Sequence, residues 1–372
     1  MKTDGARILV VIGTRPEAVK MAPVVASLRA LDRVQVRVLA TAQHREMLDQ
    51  KLAFFGIRPD LDLDLMAPGQ SIGDLAARLT AALPPVLRSE QPDLVLAQGD
   101  TTTVLMTALC CFHERIAFGH VEAGLRSGDV RDPWPEEQNR ILTSRLASIH
   151  FAPTSIARDN LLREGFAPGS VHVTGNTVVD AMLQVKDRVD LQPWAPPAGR
   201  RQLVVTVHRR ENHGARLAAI CGAVRELADR PDVHVVLPVH PNPAVRETIL
   251  RLLGDHPHVQ LTAPLDYPDM LALLQTSYLA LTDSGGVQEE APTFGLPCLV
   301  LRDATERPEG VYAGIARLVG ADHGRIVSEA ARLLDDSSAY EVMAKAVNPY
   351  GDGRAAHRIA QLCVEHVKAR RA

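Results

Sequence analysis

Three carboxylates stand where proton chemistry would want them: Asp100, Glu122 and Glu136. The apolar run Leu94-Val95-Leu96-Ala97 leads into Gln98-Gly99-Asp100. A second run, Ile116-Ala117-Phe118, leads into Gly119-His120-Val121-Glu122-Ala123-Gly124-Leu125-Arg126. Glu136 lies in Pro133-Trp134-Pro135-Glu136-Glu137, just ahead of a helix-like segment. In an open α/β sheet, ligands bind in the crevice at the carboxyl ends of the strands. Acidic groups gathered there act as general acids and bases. The pattern points to an enzyme that moves protons on a bound small molecule.

Two turns have the character of anion sites. The first strand ends in Gly13-Thr14-Arg15-Pro16-Glu17, with Lys20 close behind. A helix opening there offers backbone N–H groups and a positive dipole end. The other reading is an ordinary capped helix start with surface charges. The second turn is Asp283-Ser284-Gly285-Gly286, followed by Val287-Gln288-Glu289-Glu290. Its two glycines let a ligand approach the backbone, and Ser284 adds a hydroxyl. Glu290, about one helical turn in, is placed to accept hydrogen bonds from ribose hydroxyls. Arg307, in Thr305-Glu306-Arg307-Pro308-Glu309, can reach phosphate or the Glu306 carboxylate. No Gly-x-Gly-x-x-Gly follows the first strand and no Walker lysine motif occurs, which argues against a dinucleotide cofactor or ATP.

Histidines mark the other half of the candidate site. Leu203-Val204-Val205-Thr206-Val207 ends at His208-Arg209-Arg210-Glu211-Asn212. The arginines favour a neutral His208, while a bound diphosphate would favour its cation. His240 sits similarly in Pro238-Val239-His240-Pro241. His256 and His258 read as loop residues.

The elements that must position these residues alternate. Strands are expected at 8–12, 34–40, 94–97, 116–118, 203–207, 234–238, 279–282 and 298–301. Helical periodicity covers 17–28, 72–83, 103–112, 139–147, 217–228, 244–253 and 287–294. Short apolar strands separated by helices predict parallel sheets covered on both faces, an α/β class. Three prolines and a glycine between Leu183 and Arg201 mark a linker. Two Rossmann-like domains follow, at 1–185 and 200–350, with a last helix (355–370 within 351–372) crossing back to the first.

A chain of 372 residues accommodates two such domains, and 46% hydrophobic residues supply their cores. A net charge of -3 implies neither a nucleic-acid nor a membrane partner. No apolar run approaches the ~20 residues of a membrane span, and no signal peptide opens the chain, so a cytoplasmic location is expected. The five cysteines, Cys110, Cys111, Cys221, Cys298 and Cys363, lack metal-ligand spacing and read as buried small hydrophobes.

Taken together, the motifs resemble the non-hydrolysing UDP-N-acetylglucosamine 2-epimerases of bacteria. The likeness runs from Gly13-Thr14-Arg15-Pro16-Glu17-Ala18 through Thr41-Ala42-Gln43-His44-Arg45, Gly99-Asp100-Thr101-Thr102-Thr103 and His120–Arg126. It continues in Pro135-Glu136-Glu137, Thr174-Gly175-Asn176-Thr177 and His208–Asn212. It closes with Asp283–Gly286, Thr305–Glu309 and Asn348-Pro349-Tyr350-Gly351-Asp352-Gly353.

The resemblance implies two Rossmann-like domains facing a cleft, as in the glycosyltransferase-B fold. It implies a homodimer that uses a UDP-sugar and needs neither metal nor other cofactor. The implied reaction is reversible interconversion of UDP-N-acetylglucosamine and UDP-N-acetylmannosamine, through elimination of UDP to 2-acetamidoglucal and re-addition. Asp100, Glu122, Glu136 and His208 form the expected catalytic set. Arg15, Lys20, Arg140, Ser284, Gly285, Gly286, Glu290 and Arg307 form the expected substrate-binding set. Gln43, Gln70, Arg209, His240 and Glu136 look similar to the lining of a regulatory UDP-N-acetylglucosamine site, where Glu46 and Gly69 depart from some members. Val207 stands where a small residue is common, so a packing adjustment is expected. The rival readings are a glycosyltransferase of the same architecture, an epimerase of a modified UDP-hexosamine, a hydrolysing relative and a non-catalytic sensor. The three carboxylates favour the epimerase.

Overall fold

A computed structural model describes residues 5–41, 52–65, 67, 69–131 and 133–372. The chain forms two compact units, Met1–Gln184 with Gly351–Ala372, and Val185–Tyr350. The first unit is built on a sheet of seven strands: β1 (Ala6–Ile12), β2 (Val34–Ala40), β3 (Leu61–Asp62), β4 (Leu94–Gln98), β5 (Ala117–Val121), β6 (Ile149–Ala152) and β7 (Val171–Val173). Their order across the sheet is β3-β2-β1-β4-β5-β6-β7, with every pairing parallel. The order reverses between β1 and β4, which makes that gap the topological switch point.

Alternating residues send the sheet's two faces into separate cores. On one face Leu9, Val11, Val95 and Phe118 meet α2 (Ile72–Glu90) and α3 (Thr102–His113). In α2 the buried residues are Leu75, Leu79, Leu83 and Leu87, a four-residue repeat that makes a single apolar stripe. This helix runs seven residues beyond the expected end at Leu83, through Pro84 and Pro85. The prolines cost backbone hydrogen bonds. The next stripe residue, Leu87, is fully buried, and its packing outweighs that cost.

On the other face Ile8, Val10, Ile12, Leu94 and Leu96 meet α1 (Arg15–Arg29) and the C-terminal helix α14 (Ala355–Arg371). Ala356, Ile359, Ala360, Cys363 and Val367 of that helix are core residues of the first unit. Asp180 fixes its start. This carboxylate is buried and accepts N–H bonds from Ala355 (3.2 Å) and Ala356 (2.9 Å).

The second unit repeats the plan. Its strands are β8 (Arg201–Thr206), β9 (Val233–Pro238), β10 (Val259–Thr262), β11 (Leu279–Thr282), β12 (Cys298–Val300) and β13 (Ala316–Leu318), in the order β10-β9-β8-β11-β12-β13. All pairings are again parallel, and the switch point lies between β8 and β11. The proline-rich stretch read as a linker is packed: Trp194 is buried in this unit's core and donates its Nε1–H to Asp269 at 2.9 Å. All five cysteines are buried thiols. Among the described residues no helix is long and apolar enough to cross a membrane.

Replacing Asp180 by Ala should cost roughly 1–3 kcal/mol, because two buried N–H groups lose their acceptor. The shift of the urea unfolding midpoint measures this; an unchanged midpoint would show that α14 does not depend on the contact.

Candidate active site

Candidate residues collect at the carboxyl ends of the strands in each unit. In the first unit, β4 ends in a turn through Gly99 (φ +88) to Asp100. β5 ends at Val121, so His120 belongs to the strand and not to the loop expected after Phe118. Glu122 follows at once with φ +63, an uncommon conformation for a residue with a side chain. Such backbone costs on the order of 1–3 kcal/mol and persists only where surrounding contacts impose it. The contacts are plain here. Glu122 Oε1 accepts from Lys20 Nζ at 2.5 Å and from Asn176 Nδ2 at 3.0 Å, and Oε2 accepts from Gln98 Nε2. Gly124 lets the turn close, since a Cβ there would lie 2.2 Å from the Ala157 carbonyl oxygen.

Asp100 is held by Arg140, whose Nε and Nη2 reach Oδ2 at 2.9 and 2.7 Å. The same guanidinium reaches Glu137 at 2.9 Å, and Asn139 donates to the Asp100 carbonyl. These anchors come from α4 (Glu136–Leu146), which starts three residues earlier than the periodicity indicated, so Glu136 is its first residue. Glu136 Oε2 is buried and has no hydrogen-bond partner among the described residues. Lys20 and Arg140, read as substrate-binding cations, thus stand in ion pairs with the two strand-end carboxylates.

Histidine 120 contributes through the backbone. Its Nε2 lies 2.7 Å from the Gly99 carbonyl oxygen, which can only accept, so Nε2 carries the proton. Burial pushes the imidazole down to about 3, so it is neutral.

The turn after β1 has two readings in the sequence, an anion site and an ordinary capped helix start. Its N–H groups are taken by Glu17. Glu17 Oε2 accepts from Gly13 N at 2.6 Å and Thr14 N at 3.3 Å, while Oε1 accepts from Thr101 Oγ1 at 2.9 Å. The capped-helix reading therefore holds for these groups, and only the exposed Arg15 remains as a candidate anion ligand. Glu17 is buried, which pushes its carboxyl up to about 7 against the lowering effect of those hydrogen bonds.

In the second unit His208 and Arg209 follow β8, and Asp283 follows β11. Asp283, fully buried, receives the His208 and Arg209 backbone N–H groups, the Asn212 amide and His208 Nδ1 at 3.1 Å. Burial raises its carboxyl, but the hydrogen bonds and charge of His208, with the donors of Arg209 and Asn212, leave it below the usual range. His240, at the end of β9, stacks on His208 with ring centroids 5.9 Å apart. Beside them opens a cavity of about 190 Å³ lined by Thr206, Val207, His208, His240, Pro241, Leu265 and Met270. Val207, expected to need a packing adjustment, is 4% exposed on its wall.

Ser284, Gly285 and Gly286 begin a short helix, α10 (Gly285–Glu290). Arg307 is committed to carboxylates: its Nε reaches Glu289 and its Nη1 reaches Glu306, each at 2.9 Å. Its guanidinium lies under Gly285, where a Cβ would be 3.2 Å from Cζ. Despite burial, Arg307 and Arg302 bring the Glu306 carboxyl down to about 2. Arg209 touches Glu306 at 3.5 Å. Glu290 is half-buried on α10. Of the residues likened to a regulatory site, Gln70 lies in the first unit and Arg209 and His240 in the second, while Gln43, with the departure at Glu46, is outside the described residues. Among the described residues no cluster of three or more His, Cys, Asp or Glu is arranged to hold a metal.

The profile of the UDP-N-acetylglucosamine 2-epimerase family matches residues 26–363. The chain belongs to that family. It is 49% identical over 367 residues to the UDP-N-acetylglucosamine 2-epimerase of Escherichia coli K12, covering 95% of this chain and 97% of the relative. The crystal structure of UDP-GlcNAc 2-epimerase from Neisseria meningitidis bound to UDP-GlcNAc superposes with a TM-score of 0.89, at 42% identity, over 96% of this chain and 100% of that one. A glycotransferase structure assigned to kitacinnamycin, 15% identical with a TM-score of 0.66 over 98% of this chain and 99% of that one, shares the fold alone. As a family member the chain is an isomerase of the epimerase type.

Glu17, Gln98, Asn176 and Asp283 escaped the sequence reading as site residues. Asn176 and Glu17 lay inside recognised motifs, and Asp283 directly preceded the glycine turn, but their partners are distant in sequence.

The raised Glu17 carboxyl sets a sign for stability. Its contribution is fully present below 4.5, its ordinary value, and is lost as pH rises through about 7. Glu17→Gln removes the titration and keeps the shape. The stability of the native protein relative to this variant should fall by roughly 3 kcal/mol across that interval. Denaturant titrations at several pH values measure it, and parallel curves would contradict it.

Proposed function

We propose that this chain interconverts UDP-N-acetylglucosamine and UDP-N-acetylmannosamine by inverting C-2 of the sugar. The observation that carries the reading is the pair of carboxylates, Asp100 and Glu122, at the ends of adjacent strands, each fixed by a cation on a neighbouring helix. Carboxylates so fixed suit acid/base work at a defined carbon.

The C-2 hydrogen has no neighbouring carbonyl, so direct removal to a free carbanion is disfavoured. Elimination avoids that species. A carboxylate takes the C-2 proton while the C-1–oxygen bond to UDP breaks, giving 2-acetamidoglucal and UDP. Protonation of C-2 from the opposite face, with return of the UDP oxygen to C-1, gives the epimer. Asp100, Glu122 and Glu136 are the proton-transfer groups, the last with a buried oxygen that has no hydrogen-bond partner among the described residues.

The second unit supplies the UDP-binding groups. The slot beside His240, Pro241, Leu265 and Met270 suits a flat pyrimidine ring. His208, Ser284 and the Gly285 and Gly286 amides suit the diphosphate, and Glu290 suits the ribose. Arg307 acts from beneath the glycine turn. The family resemblance further supports a cytoplasmic homodimer, which a native mass of a single chain would overturn.

Incubation with UDP-N-acetylglucosamine in deuterated water, without an acceptor sugar, should place deuterium at C-2 and yield the manno epimer; a product unlabelled at C-2 would sink the elimination route. Asp100→Asn and Glu122→Gln should each lower turnover about a hundredfold or more. Near-normal turnover in both variants would remove these residues from proton transfer.

A further inference from the structure

We propose that Asp283 is a positioning residue that fixes the tautomer of His208, directing Nδ1–H into its own carboxylate and leaving Nε2 as the working atom. The inference rests on the assignment of His208 to the UDP-binding set.

The geometry leaves His208 little freedom. Its backbone N–H donates to both Asp283 oxygens, at 3.1 and 3.0 Å, and Nδ1 lies 3.1 Å from Oδ1. The His240 ring covers one face at an interplanar angle of 25°. Among the described residues Nε2 has no hydrogen-bond partner, and His208 lines the cavity. A carboxylate accepts only, so the nitrogen facing it must carry a proton. Nε2 of the neutral ring then holds a lone pair. It can take a proton from solvent and become a cationic donor to the departing diphosphate, with Asp283 stabilising the imidazolium.

The other contacts of Asp283 predict what an amide would do there. Oδ2 also accepts from Arg209 N at 2.9 Å and Asn212 Nδ2 at 3.0 Å. In Asp283→Asn the amide oxygen must stay at that position to serve these donors. The NH₂ group then faces His208 Nδ1, which can answer only as an acceptor. The proton moves to Nε2, and the ring presents a donor where it had presented a lone pair. That tautomer still binds an anion but cannot accept a proton at Nε2. Turnover should therefore fall more than binding.

The experiment uses the full chain labelled with ¹⁵N-histidine. Two-bond ¹⁵N–¹H correlation spectra report the tautomer of each ring, and the His208 signals are assigned by their loss in His208→Asn. The neutral native ring should carry its proton on Nδ1, and Asp283→Asn should move it to Nε2. In the same variant kcat should fall about a hundredfold or more, with KM for UDP-N-acetylglucosamine within about threefold. A native ring protonated on Nε2 overturns the proposal without recourse to any variant. So does a variant with unchanged tautomer, or one whose loss lies in KM. The proposed epimerase activity is read separately: deuterium incorporation by the native enzyme together with a wrong tautomer would refute this inference and leave that function standing.

Discussion

The structure depends on how each sheet closes its switch point. Where strand order reverses, two βα turns diverge and leave backbone N–H groups without partners in a buried place. Each unit answers with one buried carboxylate spanning the gap. Glu17, from the turn after β1, binds that turn's amides and reaches Thr101 beside Asp100. Asp283, at the end of β11, binds the amides that follow β8. In both cases the carboxylate satisfies the backbone and also sets the position of a candidate site residue. The site is therefore fixed by the requirement that allows the fold to close.

The two bridges differ in charge, and the difference follows from their donors. Glu17 meets only neutral N–H and O–H groups, so burial dominates and its proton is held to about 7. Asp283 meets comparable backbone donors and a histidine ring, which together outweigh burial. The first unit thereby limits negative charge near Arg15, while in the same unit Lys20 pairs with Glu122 and Arg140 with Asp100. The second unit keeps an anion behind His208. One turn holds a carboxyl that keeps its proton up to about pH 7, and the other an ionised carboxylate beside a histidine ring.

Much of the plan is legible in the chain because short apolar runs followed by a carboxylate, a histidine or a glycine pair mark strand ends without tertiary information. Leu94–Gln98 before Asp100, and Leu279–Thr282 before the glycine turn, are of this kind. The strands at Ile149–Ala152, Val171–Val173, Val259–Thr262 and Ala316–Leu318 were not distinguished. Each has only three or four residues, too few for a period to emerge. His120 hid its strand because Gly119-His120-Val121 lacks a continuous apolar signature. Arg307 illustrates a different limit. Its charge is visible in the sequence, but Glu289, eighteen positions earlier, claims its Nε. Likewise, Glu17 reads as part of an ordinary helix start, and its contact with Thr101, eighty-four positions later, shows only in the fold.

The C-terminal helix has a consequence for the order of events at the ribosome. The second unit is complete once Tyr350 has emerged, because its core needs nothing later. The first sheet is made earlier, yet Ile8, Val10 and Leu94 lack part of their cover until Ala356–Val367 arrives. Although translated first, the N-terminal lobe keeps part of one apolar face uncovered until its last helix is made, an exposure of the kind that favours aggregation of partly folded chains.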